Sequence, residues 1–327
     1  MFLHLRNHSH YSLLRALPKV PTLVKLAKEN KMPAVALTDY SNMYGIIEFY
    51  KTCQKEGVKA IVGAEFSILH NERRFQIVLL AKNMTGYRNL MRITSLVNIE
   101  NPLDPLLTDT ILSEYKDGLI VLSGGMMGDV NTLCVIDKRQ ALDRLRFYKN
   151  LFGEDYYLEL NPQLKLDDGE VIFKKTIELA EETSTELIAT WNNHYLDDAD
   201  KYAHRILHLV HGDERSLEEY NHIFLKDSFA FNGHSEELFH SAPRALENTF
   251  KIAEQCNVEI PLGDWVFPAI EYTKNYNEDL KDLAYAGLQV RKKELTDDVK
   301  KRLDYELKVI ADKGYSPYFL VVYDLLR

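Results

Sequence analysis

Near its start the chain sets polar side chains two residues apart. In FLHLRNHSHY, His4, Arg6, His8 and His10 would share one face of an extended segment, because side chains alternate along a strand. The spacing H-x-x-x-H-x-H resembles a metal motif. Further polar residues stand where short apolar runs end: Asp39 and Tyr40 after PAVAL, Glu65 after IVG, Glu159 in DYYLEL, and Asn192 and His194 after ELIAT. Imidazole and carboxylate groups gathered from several strand ends can hold zinc or manganese. A water on such an ion becomes a nucleophile towards a phosphate ester. The bland alternative is that these histidines are hydrogen-bonded loop residues, which for a lone pair is favoured by roughly two to one.

The elements that must position these groups alternate between β-rich and amphipathic helical runs, the signature of parallel βα units. FLHLR (2–6) reads as a strand, PTLVKLAKEN (21–30) as a helix and PAVALTD (33–39) as a buried strand. A helical pattern then runs to Gly57, followed by strand-like VKAIVGAEFSIL and RFQIVLLA. Helix GYRNLMRITSLV, strand GLIVLS (118–123) and helix ALDRLRFYKNLF follow. Next come strand DYYLEL (155–160), helix EVIFKKTIELAEET, strand ELIAT (186–190) and helix DADKYAHRILHLV. Six or seven such units in about 210 residues fit a closed or nearly closed barrel better than an open sheet. Polar groups at strand ends would then gather at one mouth.

Beyond residue 215 helical patterns dominate: PRALENTFKIAEQC, EDLKDLAYAGLQVRKKEL and DVKKRLDYELKVIADKG, then the apolar segment YFLVVYDLL. That segment reaches Arg327 without a cap, so the sequence is expected to be the first part of a longer chain.

Composition narrows the function classes. The chain has 327 residues, 46% hydrophobic, enough for one large core or two ordinary ones. Cys53, Cys134 and Cys256 form no C-x-x-C pair, which argues against a disulfide framework and a thiolate zinc site and points to a reducing compartment. With no signal-like leader and no run near the ~20 apolar residues of a membrane span, a cytoplasmic protein is expected. A formal charge of −9 argues against wrapping a nucleic-acid backbone. Two local basic patterns, Lys138, Arg139, Arg144, Arg146 and Lys149, then Arg291, Lys292, Lys293, Lys300, Lys301 and Arg302, read as solvated helix faces. Neither G-x-x-x-x-G-K-[ST] nor G-x-G-x-x-G occurs, and GGMMGD (124–129) reads as a tight turn rather than a phosphate cradle.

With the motifs placed, a family resemblance becomes visible. HLRNHSHYSLL and ALTDYSNMYGIIEFYKTCQKEGVKAIVGAEF resemble the opening of the PHP (polymerase and histidinol phosphatase) domain of bacterial DNA polymerase III alpha subunits. LLAKNMTGYRNLMRI, GLIVLSGGMMGDV, YYLEL, IATWNNHYLDD and PRALENTFKIAEQCNV continue the likeness. RLDYELKVIADKGYSPYFLVVYDLL resembles the approach to the polymerase palm, and the HLR opening and GGMMGD look most like the proteobacterial form. The resemblance implies a distorted (β/α)7 barrel over residues 1–270, and a helical connection with the start of a truncated palm over 271–327.

In active members of that family the C-terminal mouth of the barrel holds up to three metal ions and hydrolyses phosphoesters. Carried over by position, His8, Glu65 and His194 stand where the family has ligands. Arg6 and Gln76 stand for histidines, Arg15 for an aspartate and Tyr40 for the histidine of T-D-H; Gly125 stands for a cysteine or histidine, and Asn192 for the aspartate of D-x-H. Guanidinium carries no lone pair and stays charged, glycine offers no ligand, and asparagine lacks charge. The three remaining side chains would hold a single zinc or manganese only weakly, so no bound cofactor is expected in this chain, with magnesium left to the parent polymerase. Arg6, with Arg15, is expected to fill the former metal space, with Glu65, Glu159 and Asp39 as charge partners.

Two functions from different classes follow. The first is a catalytically silent barrel that braces a DNA-directed DNA polymerase, with no catalytic residue of its own. Its partners are the remaining domains of the same chain, the proofreading exonuclease (epsilon) subunit and other replisome components. The second is a metal-dependent phosphoesterase or 3′–5′ nuclease at the mouth. Ligand loss favours the first.

Overall fold

A computed structural model describes residues 3–210, 220, 223–224, 228–231, 236–263 and 275–326. Backbone contacts divide the chain into Met1–Ile260 and Pro261–Arg327. The boundary expected after residue 270 lies outside the described residues.

The first unit is a curled six-stranded sheet in sequential order: β1 Ala34–Leu37, β2 Lys59–His70, β3 Arg73–Ala81, β4 Leu119–Leu122, β5 Tyr156–Leu160 and β6 Leu187–Ala189. Helices α1 Val20–Glu29, α2 Ile46–Glu56, α3 Met84–Glu100, α4 Asp109–Glu114, α5 Asp129–Ile136, α6 Lys138–Phe152 and α7 Gly169–Thr183 run between strands. The run expected to be helical from Asp198 opens as a 3-10 turn, Asp198–Asp200, before α8 Lys201–Val210, and α9 spans Pro243–Gln255.

Two sequence expectations need correction. The pairs β1–β2, β4–β5 and β5–β6 are parallel as expected, but β3 runs antiparallel to both neighbours. Only Asn71 and Glu72 separate β2 from β3, far too few for a parallel crossover, and both take positive φ (49° and 63°), as such tight turns require. FLHLR is not a ladder strand; the segment is extended and serves as an irregular seventh stave. Ala36 N–H donates to His4 O and Thr38 N–H to Asn7 O on one side, while Asn193 N–H donates to Arg6 O and His8 N–H to Asn193 O on the other.

Strand alternation sorts the apolar residues into two layers. Val35, Leu37, Val62, Ala64, Phe66, Leu79, Val121 and Leu158 belong to the cluster that includes the buried faces of α1, α2, α3 and α6. The opposite parity, Ala34, Ala36, Ile61, Val78, Leu80, Ile120, Leu122, Tyr157 and Ile188, joins Leu3 and Leu5 inside the curl. Ile252 and Ala253 of α9, with Cys256, close this inner cluster, and Leu3 N–H donates to Thr249 Oγ1 at 3.1 Å. A filled interior of this kind leaves chemistry only at the strand ends.

Arg144 corrects the reading of its helix as a solvated face. It is buried, with Nε 2.5 Å from Asp129, both terminal nitrogens 2.6 Å from Asp109, and Nη2 2.9 Å from the Tyr148 hydroxyl.

In the second unit α10 Tyr276–Val290, α11 Asp297–Asp312 and α12 Ser316–Leu326 are helical. The pattern expected to continue to Leu295 breaks after Val290, and Lys292 takes a φ of 52°. Asn275 and Thr296 cap α10 and α11 by accepting backbone N–H bonds in each first turn. No helix among the described residues is long and apolar enough to cross a membrane.

Candidate functional site at the barrel mouth

Following the inward parity toward the strand ends, the apolar lining gives way to Glu65 on β2, Gln76 on β3, Gly124 after β4, Glu159 on β5 and Thr190 after β6. Arg6 lies among them, only 1% exposed. Its Nε donates to Glu65 Oε2 at 2.7 Å, Nη1 to Glu159 Oε1 and to Gly124 O at 3.0 Å, and Nη2 to Gln76 Oε1 at 2.6 Å. One planar fork thus ties four consecutive staves, a task its fixed donor geometry suits and a single ammonium does not.

Glu159 is saturated. It also accepts from the Gly124 N–H and Asn161 Nδ2, each at 3.0 Å, and from the Thr190 hydroxyl. Burial alone would push the Glu65 carboxyl up, but Arg6 and then His8 outweigh it and hold it at about 2. Burial likewise opposes charge on Arg6, and Glu65 and Glu159 overcome this to raise its pKa. The guanidinium and the Glu65 carboxylate are therefore a buried ion pair at any ordinary pH.

His8 Nε2 lies 2.9 Å from Asn192 Oδ1 and 3.2 Å from Glu65 Oε2. Both neighbours accept, so this nitrogen carries the hydrogen and offers no lone pair inward. Its Nδ1 is buried without a hydrogen-bond partner among the described residues. The His194 ring centroid is 4.5 Å from that of His8, and its Nδ1 is 2.9 Å from Asn192 O. Burial, followed by His8 and His204, holds His194 well below the usual histidine range, so it is neutral.

Of the groups singled out from sequence, the structure gathers Arg6, His8, Glu65, Gln76, Glu159, Asn192 and His194 into this mouth. Others go elsewhere. Arg15 is exposed, stacked 3.9 Å from the Tyr40 ring centre, and its carbonyl accepts from His204 Nε2 at 2.7 Å. The Tyr40 hydroxyl bonds to Ser67. Asp39 is not an arginine partner, because its parity is opposite to that of Ala36 and Tyr40; it accepts instead from Ser9 N and Oγ at 2.7 Å and Ser12 Oγ at 2.6 Å. His4 turns away, stacked 4.1 Å from Phe231, while Leu3 and Leu5 point inward, so the alternation slips between Leu5 and Arg6. His10 is exposed.

Asn161 and Thr190 were missed by sequence reasoning. The signal was present: Asn161 follows Glu159 by two residues, and Thr190 follows inward Ile188 by two. Asn161 also explains the glycine at 125. That residue has a φ of 57°, and a Cβ there would lie 1.3 Å from Asn161 Oδ1.

This arrangement does not fit a cluster of metal ions. A guanidinium occupies the space between the two carboxylates, and no group of three or more His, Cys, Asp or Glu among the described residues could hold a metal. What the site does chemically is neutralise two buried carboxylates and pin strand ends together.

The PHP domain family model matches residues 4–163, the stretch that carries most of this barrel. A second model, the bacterial DNA polymerase III alpha NTPase domain, matches residues 278–327. DNA polymerase III subunit alpha of Treponema pallidum is 34% identical over 345 residues, covering 99% of this chain and 29% of the relative. The Escherichia coli K12 subunit is also 34% identical, over 346 residues, covering 100% of this chain and 30% of its own length. The chain belongs to the DNA polymerase III alpha subunit family, and spans about three-tenths of the length of the relatives it matches. Spirochaetal and proteobacterial relatives match equally well, so the expected proteobacterial character is not distinguished. Among solved structures, an amidohydrolase from Chromobacterium violaceum with bound sulfate and no metal aligns with a TM-score of 0.42 at 13% identity, covering 59% of this chain and 88% of that one. A Bifidobacterium adolescentis protein described as a metal-dependent phosphoesterase aligns at 0.40 and 11%, covering 59% and 87%.

Proposed function

We propose that this chain is the PHP-bearing part of a replicative DNA polymerase, and that its barrel braces the polymerase rather than hydrolysing phosphoesters. The observation that carries this is Arg6, buried and bonded at once to Glu65, Glu159, Gln76 and the Gly124 carbonyl. Hydrolysis by such mouths needs cations that share carboxylates with a water. A fixed cation without lone pairs takes the carboxylates and offers the water nothing. His8, Glu65 and His194 are then the remnant of a ligand set, with Arg6, Arg15, Tyr40, Gln76, Gly125 and Asn192 as its replacements.

Family likeness supports three further parts of the proposal. The rest of the same chain supplies the magnesium-dependent polymerase site, the barrel seats the proofreading exonuclease subunit, and the protein works in the cytoplasm with the other replisome components. The phosphoesterase or nuclease alternative has one observation in its favour, the unpartnered buried Nδ1 of His8.

Metal analysis after equilibration with zinc and with manganese, paired with a manganese-dependent nuclease assay, tests the brace. Less than one tightly held ion per chain and no hydrolysis are expected. Two or more held ions, or hydrolysis abolished by His8→Ala, would overturn it. Co-elution with the exonuclease subunit on size exclusion tests docking separately, and its failure would remove that partner alone.

A further inference from the structure

The barrel holds a second buried ion cluster besides the one at its mouth. Arg144 of α6 bonds Asp109 of α4 and Asp129 of α5, and the Tyr148 hydroxyl also donates to Asp129 at 2.7 Å. The Arg144 and Asp129 side chains are at most 3% exposed, whereas that of Asp109 is 42% exposed on the outer wall. We propose that the first turn of α5 couples this outer cluster to the Arg6 cluster, so that a change at Asp109 is felt at Glu159.

The link is short. Asp129 and Asn131 both lie in the first turn of α5, and two steps along a helix turn through about 200°, so their side chains leave on opposite sides. Asp129 faces Arg144. Asn131, 1% exposed, faces β5: its Nδ2 donates to Glu159 O and to Thr176 Oγ1, each at 3.0 Å, and its Oδ1 accepts from Ser123 Oγ at 2.5 Å. Ser123 Oγ in turn accepts from the Glu159 N–H at 2.8 Å. One amide and one hydroxyl thus grip the peptide groups on both sides of Glu159, whose carboxylate takes Arg6 and the Gly124 N–H.

The joint has little slack. Gly128, immediately before α5, approaches β4 so closely that a Cβ there would lie 1.7 Å from the Ser123 carbonyl oxygen. A shift of about 1 Å in the first turn of α5, following a freed Asp129, would carry the Asn131 bonds past hydrogen-bonding range. Buried, mutually bonded groups of this kind give way together rather than one at a time. Anything that competes for Asp109 on the outer wall therefore loosens the mouth. The coupling stands on these bonds alone, whether or not the barrel braces a polymerase.

Residue-resolved hydrogen exchange on the 327-residue chain tests it. Asp109→Asn, a change at a half-exposed residue, should speed exchange of the Gly124 and Glu159 amides about tenfold or more, while Ala36 and Thr38, bonded to the first stave, keep their rates. In an Asn131→Leu background the same substitution should no longer move the Gly124 and Glu159 amides. A second measurement needs no change at Asn131: a urea-unfolding cycle of Asp109→Asn with Arg6→Lys. Independent clusters would change the unfolding constant multiplicatively to within about twofold, and coupled ones should depart from the product at least about fivefold. Unchanged exchange at Gly124 and Glu159 in Asp109→Asn, an effect that survives Asn131→Leu, or a multiplicative cycle would each overturn the proposal.

Discussion

Replacing Arg6 by alanine is the sharpest test of the barrel mouth. The substitution deletes four hydrogen bonds, two of them to buried carboxylates, and leaves Glu65 and Glu159 facing each other without a cation. All four bonds have an ionised donor, and at about 1.5–3 kcal/mol each they would give roughly 6–12 kcal/mol. Water entering the vacated space resolvates part of this, so the expected loss is that of a broken buried pair, about 3–5 kcal/mol. Trp191 offers the probe: it is 2% exposed, with its ring 5.9 Å from that of His4, and Trp265→Phe removes the competing fluorophore. Urea unfolding followed through Trp191 should show the loss as a lower midpoint at constant slope. The triple variant Arg6→Leu, Glu65→Gln, Glu159→Gln removes the charges together and should recover more than half of it.

The pH dependence has a definite sign. In the intact protein the Glu65 carboxyl is held at about 2, below its unfolded value, so its contribution is fully present above about pH 4.5 and is lost as pH falls towards 2. Without Arg6, burial dominates and raises the Glu65 carboxyl above its unfolded value. The penalty should then be largest at neutral pH and shrink on acidification. A loss below about 1 kcal/mol at pH 7, or a triple variant less stable than Arg6→Ala alone, would refute the account of Arg6 as the mouth's resident cation.

Other sites give independent checks. Gly125→Ala should cost at least about 2 kcal/mol by thermal melting, since it adds strain at positive φ to a collision with Asn161, and Asn161→Ala should relieve only the collision. Asp39→Ala should cost about 1–3 kcal/mol and loosen residues 9–12 in hydrogen exchange, because Ser9 N, Ser9 Oγ and Ser12 Oγ all lose their acceptor. Arg144→Ala should cost about 3–5 kcal/mol by leaving Asp129 buried without its cation, and Arg144→Lys should not rescue it, since one ammonium cannot bond Asp109 and Asp129 as the fork does.

Much of the mouth was legible because strand alternation is local. Glu65, Glu159 and Asn192 could be placed at strand ends from apolar runs of four or five residues, and parity alone would have added Asn161 and Thr190. His4 was misplaced because the first stave is irregular: its alternation slips by one residue, and nothing in LHLRN announces the slip. Asp39 was named as a charge partner from its place at a strand end alone, without its parity, which is opposite to that of Ala36 and turns it towards Ser9 and Ser12. The antiparallel β3 was hidden because the whole pattern was read as parallel βα units, although VKAIVGAEFSIL and RFQIVLLA follow each other with no helix between and so allow only a hairpin. Arg144 was missed because burial of a charge depends on carboxylates brought from α4 and α5, which no helical pattern reveals.

The stave formed by Leu3–His8 bears on how such a chain can be made. One edge pairs with nearby β1, but the other partners are distant: Leu3 bonds Thr249, and Asn7 pairs with Asn193. On a ribosome, the stave can meet β1 early, but its second edge and the cover of Leu3 by α9 must wait until residues near 193 and then 249 have emerged, a delay that favours slow folding and aggregation. Nascent chains arrested before α9 emerges should therefore be protease-sensitive from their amino-terminal end inward.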